Sequence, residues 1–241
     1  MKPLPAGPRC RALTFLNLAL ALAFGLIPLT VAAQVAPSSS EVAAYTGLHS
    51  AAHSGDFTTV TRLAKTSPQA LAQTDGNGRT PLHVATFARQ RGAVAALLDA
   101  GADPAALDND RYDAVTIAAV ADDEETLRVL LAKGASATLV TSRYDGTALI
   151  AAAHLGHDGV VRQLIDAGAP LDHVNNLHWT ALIEAIVLGD GGARHQRVVR
   201  DLLAAGASTQ LKDRQGQTPL QLARSRGFAA MEKMLVSAGA R

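Results

Sequence analysis

Aromatic side chains make up only 4% of the 241 residues, there is one cysteine, and the formal net charge is +1. With aromatics so scarce, a core must be assembled mainly from Ala, Leu and Val, within a hydrophobic fraction of 48%. The near-neutral balance lacks the basic footprint of a nucleic-acid binder. A lone thiol, Cys10, excludes an internal disulfide and any multi-cysteine metal site.

The segment Met1–Ala33 differs from the rest. Lys2, Arg9 and Arg11 precede the apolar run ALTFLNLALALAFGLIPL, and Val31-Ala32-Ala33 ends it with small residues. That order is expected of a secretory signal cut after Ala33, with Ala36 as a second site. Retention as a membrane anchor is the competing reading, weakened by Asn17, Gly25 and Pro28 in a run just under the about 20 residues of a span. Cleavage removes Cys10 and three basic residues, leaving 19 basic against 21 acidic, a charge of −2. Such a chain has no thiol chemistry and no attraction to anionic membranes or nucleic acid. Residues 34–44, QVAPSSSEVAA, are expected to form a short flexible lead-in.

From residue 45 onward the chain repeats itself. TGLHSA, TPLHVA, DAVTIA, TALIAA, TALIEA and TPLQLA begin at 46, 80, 113, 147, 180 and 218. Ala51, Ala85, Ala118, Ala152, Ala185 and Ala223 share one column, and Leu63, Leu97, Leu130, Leu164, Leu202 and Leu235 another. Gly-Ala closes five units at Gly101, Gly134, Gly168, Gly206 and Gly239; the first has Ser67-Pro68 instead. The starting Thr or Asp suits a helix N-cap, and Pro81 and Pro219 suit the first turn. The small Ala lets helices approach, and the Gly suits a left-handed helix end. Each helix is expected to span about 10 residues, too few to stand alone in water, so stacking must hold the units.

This pattern resembles the ankyrin repeat, a unit of about 33 residues carrying T-P-L-H-x-A. The resemblance covers residues 45–241 and implies an all-α solenoid of about six helix-turn-helix units with short β-hairpin or loop tips. It also implies a structural hydrogen-bonding role for His49 and His83, and protein binding through the hairpin tips and concave face. The first and last units are expected to act as atypical caps.

The fifth unit is five residues longer than the common period, with Gly189-Asp190-Gly191-Gly192 between its helices. A phosphate loop would need G-x-x-x-x-G-K-[ST]; Arg194 and His195 follow instead, and no strand precedes. The expectation is a lengthened loop projecting opposite the tips. H-E-x-x-H and G-x-S-x-G are absent, and the His49/His53 pair lacks further zinc ligands. Asp122-Asp123-Glu124-Glu125 most simply favours the dipole of the helix it opens. No cofactor or metal is expected, and no enzymatic activity. The rival reading is a hydrolase or metal enzyme using His195 and Asp190.

Tyr112, Tyr144 and Trp179 sit on three consecutive tips, and RYD occurs twice. Arg, Tyr and Trp often dominate interfaces. Arg111, Tyr112, Arg143, Tyr144, His178 and Trp179 are therefore the candidate protein-binding ridge. Packing against neighbouring repeats is the competing role. The chain is expected to be an exported, monomeric, periplasmic scaffold for another protein. It is similar to exported bacterial ankyrin proteins, some of which support periplasmic catalase in oxidative-stress defence. An immunity protein against a periplasmic toxin is the alternative within the binding class.

Overall fold

The computed structural model describes residues 34–241; the expected signal segment lies outside the described residues. Six helix pairs follow one another in register. Their first helices are α2 (Gly47–Ser54), α4 (Pro81–Phe87), α6 (Ala114–Val120), α8 (Ala148–Leu155), α10 (Ala181–Val187) and α12 (Pro219–Ser225). Their second helices are α3 (Phe57–Thr66), α5 (Arg91–Asp99), α7 (Glu124–Ala132), α9 (Asp158–Asp166), α11 (Ala193–Ala204) and α13 (Ala229–Ser237). A short helix, α1 (Ser39–Ala44), precedes them. The expected all-α solenoid is what the chain forms.

First helices stack on first helices and second on second along the whole series. The two sequence columns explain how. The repeated Ala is at most 5% exposed in all six units, and the repeated Leu is fully buried in the last five. With methyl groups at the crossing, neighbouring backbones approach closely, and the Leu fills the space between layers. Every one of these helices is too short to persist alone in water, so each exists because its neighbours cover its apolar stripe.

Most of the expected end signals act as read. Asp113, Thr147, Thr180 and Thr218 accept the amide three residues on, and Thr46 does not. Asp123 caps α7, with Glu124 and Glu125 in its first turn. The five exit glycines all lie at positive φ, and the Ala after each is buried. In the first unit a 3-10 turn, Pro68–Ala72, replaces the Gly-Ala exit and buries Leu71. Four tips are loops without strand; the third forms a minimal hairpin in which Val140 pairs with Thr147 and Thr141 with Gly146.

His83 has the structural role implied for the TPLH position. Its Nδ1 accepts the Thr80 backbone N–H at 3.0 Å, so Nε2 carries the proton. That N–H donates to the Ala106 and Tyr112 carbonyls at 3.0 and 3.1 Å, tying the unit to the next tip. His49 likewise reaches the Arg79 carbonyl at 3.0 Å.

Residues 34–44 depart from the expected lead-in. Ser38 and Glu41 form a capping box that starts α1. Glu41 then pairs with Arg79, whose guanidinium is fully buried, also binds Asp75 at 2.7 Å, and donates to the Val35 carbonyl at 3.0 Å. Tyr45 donates its hydroxyl to Asp75 at 2.6 Å. Burial works against the Arg79 charge, but Asp75 and Glu41 more than offset it and hold its pKa above the ordinary value. Composition made the segment look like linker because its contacts are polar; α1 has no buried residue.

Arg79→Met should therefore leave Asp75 without its cation and cost about 2–4 kcal/mol in urea unfolding. Glu41→Gln should free the segment while the array stays folded, seen as new protease cleavage within residues 34–44; unchanged resistance would show that the ion pair does not hold α1. A second expectation concerns pH. Burial pushes His83 below its usual 6.5, so the folded ring refuses a proton that the unfolded one accepts. Its contribution is complete above about pH 6.5 and is lost as the pH falls toward the folded value. His83→Gln should shrink the stability difference between about pH 7.5 and about pH 5.5 by up to about 1.4 kcal/mol.

Candidate partner-binding surface

The tips share one internal design. Asp75, Asp108, Ser142, Asn175 and Asp213 open the five turns. In each, one side-chain oxygen accepts the backbone amides two and four residues on, at 2.8 to 3.4 Å. The side chain thus supplies what a longer hairpin would obtain from a partner strand.

That register separates residues that the composition of the tips had grouped. Tyr112 and Trp179 occupy the column directly before the repeat start, together with Arg79, Gly146 and Gln217. They are only 6% and 8% exposed, so they pack inside the array and leave the expected ridge. At this column both rings are buried, and burial of their area favours packing over display. Tyr144 stands two columns earlier and is half-buried. The two RYD triplets are thus two residues out of phase, and their members have different surroundings.

Arg111, Arg143 and His178 are exposed, as is Asp145. Arg111 lies 3.8 Å from Asp145 of the next tip, and Arg143 pairs with Asp110 of the preceding one. Asp145 escapes a search for interface residue types, yet its column marks it. Position by position, Gly78, Arg111, Asp145, His178 and Gly216 are equivalent, with φ of 73°, 66°, 52°, 65° and 77°. The outer tips use glycine for this left-handed conformation. The three central tips hold side chains in it, at a cost of roughly 1 kcal/mol or more for a residue with a Cβ. The exposed Leu107 and Val174 stand directly before the turn residues Asp108 and Asn175, and exposed Val140 two residues before Ser142.

The glycine-rich centre of the fifth unit is not a projecting loop. The five extra residues are divided between a tight turn and α11, which is longer than its counterparts α5, α7, α9 and α13. Arg194 and His195 therefore lie in helix. Asp190 accepts the Gly192 amide at 2.8 Å, and that bond first, then His195, holds its carboxyl below the usual range. Arg194 reaches back to Asp122 and Asp158 at 2.8 and 3.2 Å, and Arg197 adds a second bond to Asp158 at 2.7 Å. Arg226 donates to the Val187 and Gly189 carbonyls from the other side.

His195 meets Asp190 through Nδ1 at 2.8 Å and the His154 carbonyl through Nε2 at 3.0 Å. Both ring nitrogens are directed at oxygens of the protein itself, Asp190 Oδ1 and the His154 carbonyl. Among the described residues, no three His, Cys, Asp or Glu side chains gather where a metal ion could sit. Glycine is present for close approach: a methyl at Gly189 would collide with the Ala185 carbonyl and the His195 ring, and Gly191 abuts Phe228 at φ +71°. Gly189→Ala should cost about 2 kcal/mol or more through that clash, measured by urea unfolding; a neutral result would restore the projecting loop.

Comparison with known proteins agrees with this architecture. The family model described as ankyrin repeats (3 copies) matches residues 18–108 and 115–213. The ankyrin repeat protein YahD of Escherichia coli (strain K12) is 39% identical over 167 residues, spanning 69% of this chain and 83% of that protein. The human B-cell lymphoma 3 protein is 32% identical over 75% of this chain, but the chain spans only 48% of its length. In the crystal structure of an ankyrin repeat domain from Acinetobacter baumannii AYE, 44% identity and a TM-score of 0.75 extend over 80% of this chain and 98% of that one. The chain belongs to the ankyrin repeat family.

Proposed function

We propose that this chain is an exported, non-catalytic scaffold that holds another protein across its three central tips, acting as a monomer in the periplasm. Ankyrin repeats generally mediate protein–protein interaction, which supports the binding class. One observation carries the choice of surface. Arg111, Asp145 and His178 are exposed and kept in a strained conformation that glycine, used at the equivalent outer positions, would relieve. Strain retained at consecutive solvent-facing positions is the signature of a working surface.

Arg143 and half-buried Tyr144 lie within this row, and the exposed aliphatics Leu107, Val140 and Val174 border it. The row thus offers charge, one aromatic and apolar area together, as interfaces do. Export rests on the order of basic, apolar and small residues along Met1–Ala33. The resemblance to exported bacterial ankyrin proteins favours a periplasmic enzyme such as catalase as the partner.

The test uses a variant that strain and binding pull in opposite directions. Arg111→Gly, Asp145→Gly and His178→Gly combined should keep or raise the Tm, within about 1 kcal/mol of the parent. The same variant should lose the proteins that the parent captures from periplasmic extract, identified by mass spectrometry. A stable variant that captures the same set would remove the tips from the interface. Recovery of the unaltered chain in the cytoplasmic fraction would overturn the placement in the periplasm.

A further inference from the structure

The fifth repeat carries a polar chain that the other units lack. In the column four residues after the repeat start stand Ser50, Val84, Ile117, Ala151, Glu184 and Leu222. Glu184 is thus the single carboxylate in a column otherwise small or apolar, and it is only 5% exposed. Its Oε1 accepts from Asn175 Nδ2 at 2.9 Å. Asn175 opens its tip where three of the other four units have Asp, and it still accepts the Leu177 and Trp179 amides, both at 3.0 Å. An Asp there would set two carboxylates against each other. An Asn supplies the missing donor without giving up the turn.

The second oxygen, Oε2, accepts from His154 Nδ1 at 3.1 Å. The ring's Nε2 has no hydrogen-bond partner among the described residues, and the His154 side chain is 23% exposed. In the neutral ring, a proton held at Nδ1 leaves a lone pair at Nε2. His154 belongs to the column of Val120 and Val187 on stacked first helices, and both valines are half-buried. Exposed Leu155 and Leu188 follow in the next column. The lone pair therefore sits on an apolar strip.

No Lys or Arg among the described residues lies within ion-pair distance of Glu184, whose side-chain partners are Asn175 and His154. A carboxylate kept in the interior without a cation costs stability unless something supplies one.

We propose that the Asn175–Glu184–His154 chain is a recognition site for one Arg or Lys side chain of the partner protein. The cationic N–H donates to His154 Nε2, and the Glu184 charge behind the ring stabilises it. The valines and leucines receive the aliphatic stem of the incoming side chain. This deepens the scaffold reading and adds a site on the first-helix face, separate from the tips.

The probe is a display library of random peptides panned on the parent protein. Enriched peptides should carry an Arg or Lys next to apolar residues. Glu184→Gln keeps shape and removes charge; His154→Phe removes the lone pair while leaving Glu184 in place. Each should weaken the selected peptide at least about tenfold. The citrulline form of that peptide, which lacks the cation, should bind parent and variants alike and weakly. No cationic enrichment, or equal binding by both folded variants, overturns the site. The tip-glycine variant separates the two readings. It should bind the cationic peptide as the parent does, so loss of extract capture by that variant and loss of the peptide by Glu184→Gln are independent results.

Discussion

Every helix of the array depends on burial that its neighbours provide. Helices this short cannot hold themselves in water, and the aromatics that usually anchor small cores are scarce here. The alternative used is close approach. Alanine at each crossing lets backbones come together, and a leucine from each second helix fills the layer between. Stability then accrues between nearest neighbours rather than at one centre. His83 adds a polar version of the same coupling, since its ring bonds to its own N-cap and to the following tip.

The tips solve a different problem. A short turn at the edge of the array leaves amides without partners, and one oxygen of Asp, Ser or Asn satisfies two of them each time. Because that bond holds the turn, the next-to-last position can tolerate a side chain in the left-handed region. The three central repeats use this tolerance and the outer two do not. In the fourth tip the same turn residue does more, because an amide in place of a carboxylate leaves a donor to reach Glu184. A local turn device thereby becomes linked to the face of the first helices.

The long fifth unit shows how the array absorbs extra chain. The added residues do not hang off the side; they lengthen α11 and close a turn held by Asp190, His195 and Arg226. Arg194 crosses to Asp122, two units back, so the insertion ties units together that share few other contacts. At the other end, α1 is held by the Glu41–Arg79 ion pair in place of apolar area.

The sequence by itself determined the fold and the repeated design of its units. A period written six times in Thr, Ala, Leu and Gly repeats one local physics, and repetition cancels the ambiguity of any single copy. It also placed the caps, the role of His83 and the family. Tertiary structure alone decided which tip residues face solvent. Tyr112 and Tyr144 look alike in their triplets, and a two-residue difference in phase buries one and half-exposes the other. Only the fold brought Glu41 to Arg79 and Glu184 to His154, because these pairs join residues 38 and 30 positions apart in the chain. Periodicity governs what every unit does alike; contacts between unlike residues of different units have no period, and only packing in three dimensions assigns them.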